Sequence, residues 1–413
     1  MSTPSATPAL DVFAPGALED PFALFARLRA EDPIHRVPGT RVHLVSRWDD
    51  VHGAVLRPDD FSSNLRVVLA RGPDGTVREQ VMDGNGTVEQ VLATADDPAH
   101  KLHRGLLMAT LGKRVRSLSA YVDAQVDECW AEIADRAHAG EVIDWVPAMA
   151  DALPIAVIAH LIGLPHDDLD RLVGWVFDST EMLGGLVEAD RMPHLYASVV
   201  DLWAYLEQHL AGALESPGDD LLGVLAQAHQ RGEIGASTAV LILIQLVGAG
   251  GESTASLLGS MARVLAERPD LHQRLRAEPD LVDAFTDEVL RLESPFRGHY
   301  RTVLRDTDLG GRSLNAGDHL LLLWASANRD ETHFERPDDV DLDRPRLRQH
   351  LAFGKGMHFC AGSALARLEA TAVIRRLVTA TTEISIAAPD QPVWVPSIFV
   401  RRHARLPLRL TLA

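Results

Sequence analysis

The chain opens on nine residues, 1–9, in which Pro, Ser, Thr and Ala follow one another without a period, and this stretch predicts a flexible tail. Beyond it, helical spacing dominates. Phe22, Phe25 and Leu28 share one side of a helix predicted over 21–30. Residues 41–46 alternate like a short strand, and 48–56 return to helix. Over 62–95 several glycines interrupt any period, which predicts a long loop region of the kind that carries function. Asp97-Pro98 then starts a helix, with an N-cap and a proline in the first turn. Helical patterns recur over 117–138, 147–162, 166–184, 195–215 and 219–231. Residues 236–267 form one long, apolar-to-amphipathic helix of roughly 48 Å, and 262–276 keep a helical, charged pattern. Another helix covers 280–292. From 300 to 323 the pattern turns to short strands around Gly310-Gly311 and Ala316-Gly317. Residues 335–350 are proline-rich and irregular, a last helix covers roughly 361–379, and short strands finish the chain. With no alternating βα rhythm, the expected fold class is mainly α with small β-sheets.

A chain of 413 residues allows two or three domains at roughly 150 residues each. No repeat, low-complexity linker or charge block divides 10–413, however, so a single domain is expected there. The 40 basic and 58 acidic residues give a net charge of −18, which repels phosphate and excludes a nucleic-acid partner. Two cysteines, Cys129 and Cys360, are too few for a disulfide framework and suggest a reducing compartment. Residues 1–20 lack a cationic stretch followed by an apolar run. The most apolar stretch, 239–247, is about half a membrane span. A soluble cytoplasmic protein with no membrane contact is therefore expected. All basic residues are arginine except Lys101, Lys113 and Lys355.

Three segments carry candidate chemistry. The first, Leu241 to Thr254, runs LILIQLVGAGGEST. A dinucleotide-binding turn fails because no second strand with a terminal acid follows. A nucleophile elbow at Ser253 fails because the fifth position is Ala and no parallel α/β frame surrounds it. What remains is a long helix weakened by Gly248, Gly250 and Gly251, which predicts a local opening beside a small ligand. An acid, Glu252, and two hydroxyls, Ser253 and Thr254, follow it directly. The second segment holds Glu288 and Arg291, three apart on one helix face. The third runs from Phe353 to Gly362 and places Cys360 among glycines at a loop-to-helix junction. Backbone N–H groups and the helix N-terminus there favour thiolate over thiol. No CxxC or HExxH spacing points to zinc.

In this order the three segments resemble the cytochrome P450 family of haem-thiolate monooxygenases. The cysteine loop matches that family's FGxGxHxCxG pattern from Phe353 to Gly362. Ala249 to Ser253 (AGGES) resembles its oxygen-groove motif, and Glu288-x-x-Arg291 its ExxR motif. The resemblance extends over nearly the whole chain and implies a triangular-prism helical haem domain. It implies haem b (iron protoporphyrin IX) with Cys360 as the axial thiolate, in a loop made pliable by Gly354, Gly356 and Gly362. Propionate partners would be His100 and Arg104, Arg301 and His358. Glu288 and Arg291 would form a structural network with Arg344. Ala249 and Gly250 would open the oxygen groove, with Glu252 as the acid and Ser253 standing where the family normally has Thr.

The implied reaction inserts one oxygen atom of O₂ into a C–H bond of a small lipophilic substrate while the other leaves as water. Electrons would come from NAD(P)H through a ferredoxin reductase and a ferredoxin to a monomeric enzyme. A peroxide-driven oxygenase, or a haem-based ligand sensor or non-catalytic partner, are the alternatives. Segments 62–95, 177–188, 241–253, 294–300 and 394–399 would line the pocket. Phe296, Trp394, Ile398 and Phe399 would give it apolar walls. Arg297, His299 and Tyr300 would add polarity suited to a substrate with an acidic or hydrogen-bonding group. Lys101, Lys113, Arg114 and Lys355, joined by Arg116 and Arg367, would form a basic patch for an acidic ferredoxin on the cysteine side.

Overall fold

The computed structural model describes residues 10–413, so the tail expected over 1–9 lies outside the described residues. The chain is mainly helical, with strands gathered into one five-stranded sheet and four smaller ones. Its centre is the helix Ala236–Glu267. Apolar residues on nearly every side of it, from Ala239 and Leu243 to Leu258 and Leu265, are buried, which is why the segment shows little amphipathicity in its first half. It is long and apolar enough to cross a membrane. Here, however, its apolar surface is spent on the neighbouring helices Ala152–Ile162, Leu169–Glu181, Met192–Glu215 and Ser363–Ala380. These share its apolar cluster with the helix Ser119–His138 and the C-terminal sheet.

The predicted elements form close to their expected bounds. Helix Phe22–Glu31, strand Val42–Val45, helix Trp48–Val55 and helix Val282–Leu292 are examples. Two differences have clear causes. The region 62–95 is not all loop: Val67–Arg71 pairs antiparallel with Val77–Val81 as a hairpin around Gly75, which has φ 78°. Val67 to Ala70 are all buried, so the strand carries no polar alternation to announce it. The helical pattern through 276 is also two helices, because Arg268 leaves helical geometry (φ −128°, ψ 77°) before Pro269 and the chain restarts as Pro269–Ala277.

The five-stranded sheet runs Ile34–Arg36, Val42–Val45, His319–Leu322, His299–Val303, Phe61–Ser62. Only the Val42–Val45 and His319–Leu322 pair is parallel; Leu320 lies opposite Arg301 in the antiparallel neighbour. This sheet packs an apolar cluster on each face. It fixes one end of the strand that carries His299 and Arg301.

Candidate functional site

Cys360 lies between a one-turn helix, Gly356–His358, and the helix Ser363–Ala380. Its N–H donates to the Phe353 carbonyl at 2.9 Å, and the Gly354 N–H donates to Leu351 O at 2.8 Å. These bonds fold the loop back so that the sulfur is enclosed. Gly354 and Gly356 sit at φ 64° and 68°, where a side chain is strained. A Cβ on Gly356 would also come 3.1 Å from Val55 O. The expected preference for thiolate is corrected here. Burial raises the Cys360 pKa and outweighs the lowering by the Gly362 and Ser363 N–H groups, Arg104 and Arg367. The chain alone therefore holds a thiol, and ionisation has to come from a bound cation.

Cys360 opens into a cavity of about 270 Å³. His100, Arg104, Arg301 and His358 line it as well. His100 and Arg104 stand one turn apart on the helix Ala99–Ser117. The His100 and His358 rings are 4.1 Å apart. His100 Nδ1 lies 3.3 Å from Asp97 Oδ1, while His358 Nε2 is buried without a partner. Arg301 gives one N–H to Tyr300 O at 2.8 Å; burial lowers its pKa to about 10, opposed by Asp96. The lining carboxyl, Glu369, is pushed well above the usual carboxylate range by burial. An apolar cavity edged by cations, with a sulfur at one side and an orphaned imidazole nitrogen, fits an iron porphyrin carrying two carboxylates.

On the opposite wall stand Ala249, Gly250, Ser253 and Thr254 of the long helix. The expected opening is absent: Ala236–Glu267 is one unbroken helix. Its glycines serve packing instead. A Cβ on Gly250 would lie 2.9 Å from Ile158, and one on Gly251 2.3 Å from Ile155, so the helix Ala152–Ile162 can approach closely. Ser253 Oγ donates back to Ala249 O at 2.6 Å. Glu252 is not on the cavity wall. It is 3% exposed and lies on another face, 3.5 Å from Arg402 Nε, and burial raises its pKa.

The pocket expectations need more correction. Phe296 does line the cavity, edge-on to His299 at 5.2 Å between centroids. Phe399 backs it from 4.9 Å without reaching the cavity lining. Arg297 is turned away and donates to the carbonyls of Ala17 and Leu18. Tyr300 is also buried elsewhere, its hydroxyl accepting the Leu69 N–H at 2.9 Å. Ile398 packs in the cluster of Phe13 and Leu69. Trp394 is sandwiched by His403, 3.7 Å away, and Arg401. Neither 177–188 nor 394–399 contributes to the lining. His299 does, but its Nδ1 accepts the Trp324 indole N–H at 2.7 Å. Among the described residues, the arginines left on the cavity lining are Arg104 and Arg301, the two that the resemblance assigns to the haem propionates.

Sequence reasoning missed Ile158, Leu161, Leu257 and Trp324 as lining, because apolar residues in apolar elements read as core. Gln245 was legible as the one polar residue in LILIQLV. It lines the cavity and clamps the 92–94 turn, accepting from Ala93 N at 2.9 Å and donating to Thr94 Oγ1 at 3.2 Å.

The structure brings Glu288, Arg291 and Arg344 together in the interior, with Arg291 and Arg344 each within 3.0 Å of Glu288. Lys101, Lys113 and Lys355 are exposed. Arg114 is not free: it pairs with Asp219 at 3.3 Å and donates to His160 O. Arg367 likewise pairs with buried Asp287 at 2.7 Å. The basic patch is thus narrower than expected.

A family model described as Cytochrome P450 matches residues 206–380. Cytochrome P450 144 of Mycobacterium tuberculosis is 45% identical over 397 residues, covering 96% of this chain and 90% of that protein. Cytochrome P450 109 of Bacillus spizizenii is 31% identical, covering 95% and 92%. Among solved structures, cytochrome P450 CREJ in complex with (4-ethylphenyl) dihydrogen phosphate superposes with a TM-score of 0.85 at 28% identity, covering 98% of this chain and 100% of that one.

Proposed function

This chain belongs to the cytochrome P450 family and is a haem-dependent monooxygenase that uses O₂ and a redox partner on an organic substrate, and from that premise we propose how its residues divide the work. The observation that carries the reading is the cavity itself. Cys360, His100, His358, Arg104 and Arg301, from three distant stretches, face one apolar space whose one carboxyl among the described residues, Glu369, is pushed toward its neutral form by burial. Cys360 would ligate the iron of haem b through its sulfur, and His100, Arg104, Arg301 and His358 would hold its propionates. When bound, the haem supplies the chemistry of O₂ activation. Phe296, Leu257, Ile158 and Leu161 exclude water and orient a small lipophilic molecule. The Ser253 Oγ–H, bonded at rest to Ala249 O, is the hydroxyl that hands a proton inward, and Glu252 on the next position replenishes it. Residues 10–413 act as one haem domain, as a monomer in the cytoplasm.

The substrate is neutral on this reading, because Arg297 and Tyr300 are already committed elsewhere. Titrations of the ferric protein followed at the Soret band should show 4-ethylphenol binding at least about tenfold tighter than (4-ethylphenyl) dihydrogen phosphate. Burying an unpaired charge costs at least the ~1.4 kcal/mol that tenfold represents. Equal or tighter binding of the phosphate would overturn the neutral-substrate reading.

The redox partner is a ferredoxin that docks where Lys355 emerges beside the cysteine loop, with Lys101 and Lys113 on the neighbouring helix. Lys355→Glu should slow ferredoxin-driven reduction about tenfold at low ionic strength, with the deficit shrinking as salt is added. A loss no larger than that of Arg409→Glu in the C-terminal sheet would remove Lys355 from the docking surface.

A further inference from the structure

Glu252 faces a buried charge cluster that the haem cavity does not explain. Arg402, in the chain leading to the strand His403–Arg405, lies between two carboxyls. Its Nε is 3.5 Å from Glu252 Oε1, and its Nη1 is 3.8 Å from Asp151 Oδ1. Asp151 joins the turn Val146–Ala150 to the helix Ala152–Ile162. Three atoms in this cluster, Asp151 Oδ1, Glu252 Oε2 and Arg402 Nε, are buried without any hydrogen-bond partner. Orphans of this kind are rare in a settled structural network. By contrast, the Glu288 carboxylate accepts from both of its arginines and a backbone N–H. The guanidinium of Arg402 lies 3.9 Å over the Phe177 ring, which holds its plane but leaves its N–H groups to be shared.

We infer that Asp151, Arg402 and Glu252 form one relay that carries protons from the protein surface to Ser253, with Asp151 as its outer carboxyl. The inference rests on the reading of Glu252 and Ser253 as the proton-delivering pair. Side-chain exposure falls along the proposed route, from 15% at Asp151 and 12% at Arg402 to 3% at Glu252. Ser253 is the next residue and lines the cavity. Oxygenation that releases water consumes two protons per turnover, and they must enter a space edged by cations. Two carboxyls around one arginine suit that demand, because both cannot ionise cheaply in a buried site and one proton is retained.

The groups facing the cluster fit this account. Burial raises Asp151 to about 6; Arg402 opposes the rise, and Glu252 and Asp144 add to it. Glu252 is faced by Arg402 and Thr180. His403, beside Arg402, is pushed to about 3 by burial and nearby arginines and stays neutral. In each cycle a proton leaves the Asp151 carboxyl for Glu252 Oε2 while Arg402 shifts its pairing toward Asp151. Glu252 then gives a proton to Ser253 Oγ as that hydroxyl releases its own inward, and Asp151 takes a new proton from solvent. No other bond is made or broken.

The test uses the ferric holoprotein and two readouts. By infrared difference spectroscopy between about pH 4 and 8, a protonated-carboxyl C=O band should titrate in the wild type. It should be missing in Asp151→Asn and shifted to lower pH in Glu252→Gln, where the like charge is gone. With NADH, a surrogate ferredoxin and its reductase, Asp151→Asn should slow NADH oxidation about tenfold and enlarge its solvent isotope effect. Asp151→Glu should restore both. A wild-type band and isotope effect in Asp151→Asn would overturn the relay. If Glu252→Gln enlarges the isotope effect while Asp151→Asn does not, only the outer step fails. If Glu252→Gln and Ser253→Ala also leave it unchanged, the proton-delivering pair itself is wrong.

Discussion

Replacing Cys360 with Ser should abolish the thiolate-type Soret band of the reduced, CO-treated protein and cut oxygenation by at least about 10³-fold, or about 4 kcal/mol at 1.36 kcal/mol per decade. The size follows from where the charge originates. Burial holds the sulfur as a thiol, and the loop's N–H groups and the two arginines only soften that penalty. Ionisation would have to be supplied by the bound cofactor's positive charge, which a thiol allows and a far less acidic hydroxyl does not. The fold should survive, because the loop is tied by backbone bonds such as Cys360 N–H to Phe353 O that serine keeps. Cys129→Ser is the matched comparison. Cys129 is half-buried, its thiol pushed up to about 11, and it lies outside the cavity lining, so its replacement should leave the band intact. Retention of the band in Cys360→Ser would refute the ligand assignment.

The helix that roofs the cavity and the loop that carries Cys360 were legible because each is encoded locally, one by period and one by glycine spacing. What the sequence could not reveal depends on contacts between distant segments. Arg297, beside Phe296, reads as a pocket residue until its partners, Ala17 O and Leu18 O some 280 positions away, take its donors. Trp394 reads as an aromatic wall until Arg401 and His403 enclose it. The glycines of the long helix announce a weak point, yet the unbroken helix shows that Ile155 and Ile158 on another element decide their purpose. Asp151 and Arg402 had no signal at all, since 251 positions separate them and neither lies in a motif. Each error has the same origin: a side chain's type limits what it can do, and the segment packed against it decides which of these it does.

Glu288 illustrates the opposite case, where a weak local signal becomes a strong structural one. Glu288 and Arg291 stand three apart, a spacing common on helix surfaces, where such a pair is worth about 1 kcal/mol or less. Here both side chains are 0% exposed. Glu288 accepts Arg291 Nε and Nη2 at 2.9 and 2.8 Å, Arg344 Nε at 3.0 Å and the Asp341 N–H at 2.9 Å. Arg291 in turn donates to the carbonyls of Asn328, Pro337 and Asp339, and Arg344 to those of Glu335, Arg336 and Asp339. One carboxylate thus balances two buried guanidinium groups that pin the irregular 335–344 chain to the helix Val282–Leu292. Glu288→Gln keeps the shape but leaves two buried cations without a counter-charge and turns an N–H₂ toward their donors. The expected cost is about 3–5 kcal/mol, against a total of about 5–15 kcal/mol for a folded domain. The guanidinium unfolding midpoint should fall accordingly, and little protein should retain haem at 37 °C. Arg336→Ala removes a pair of similar length, Arg336 to Asp341 at 2.6 Å, but Arg336 is 61% exposed, so about 1 kcal/mol or less is expected. If the two substitutions cost the same, burial is not what gives the Glu288 network its strength.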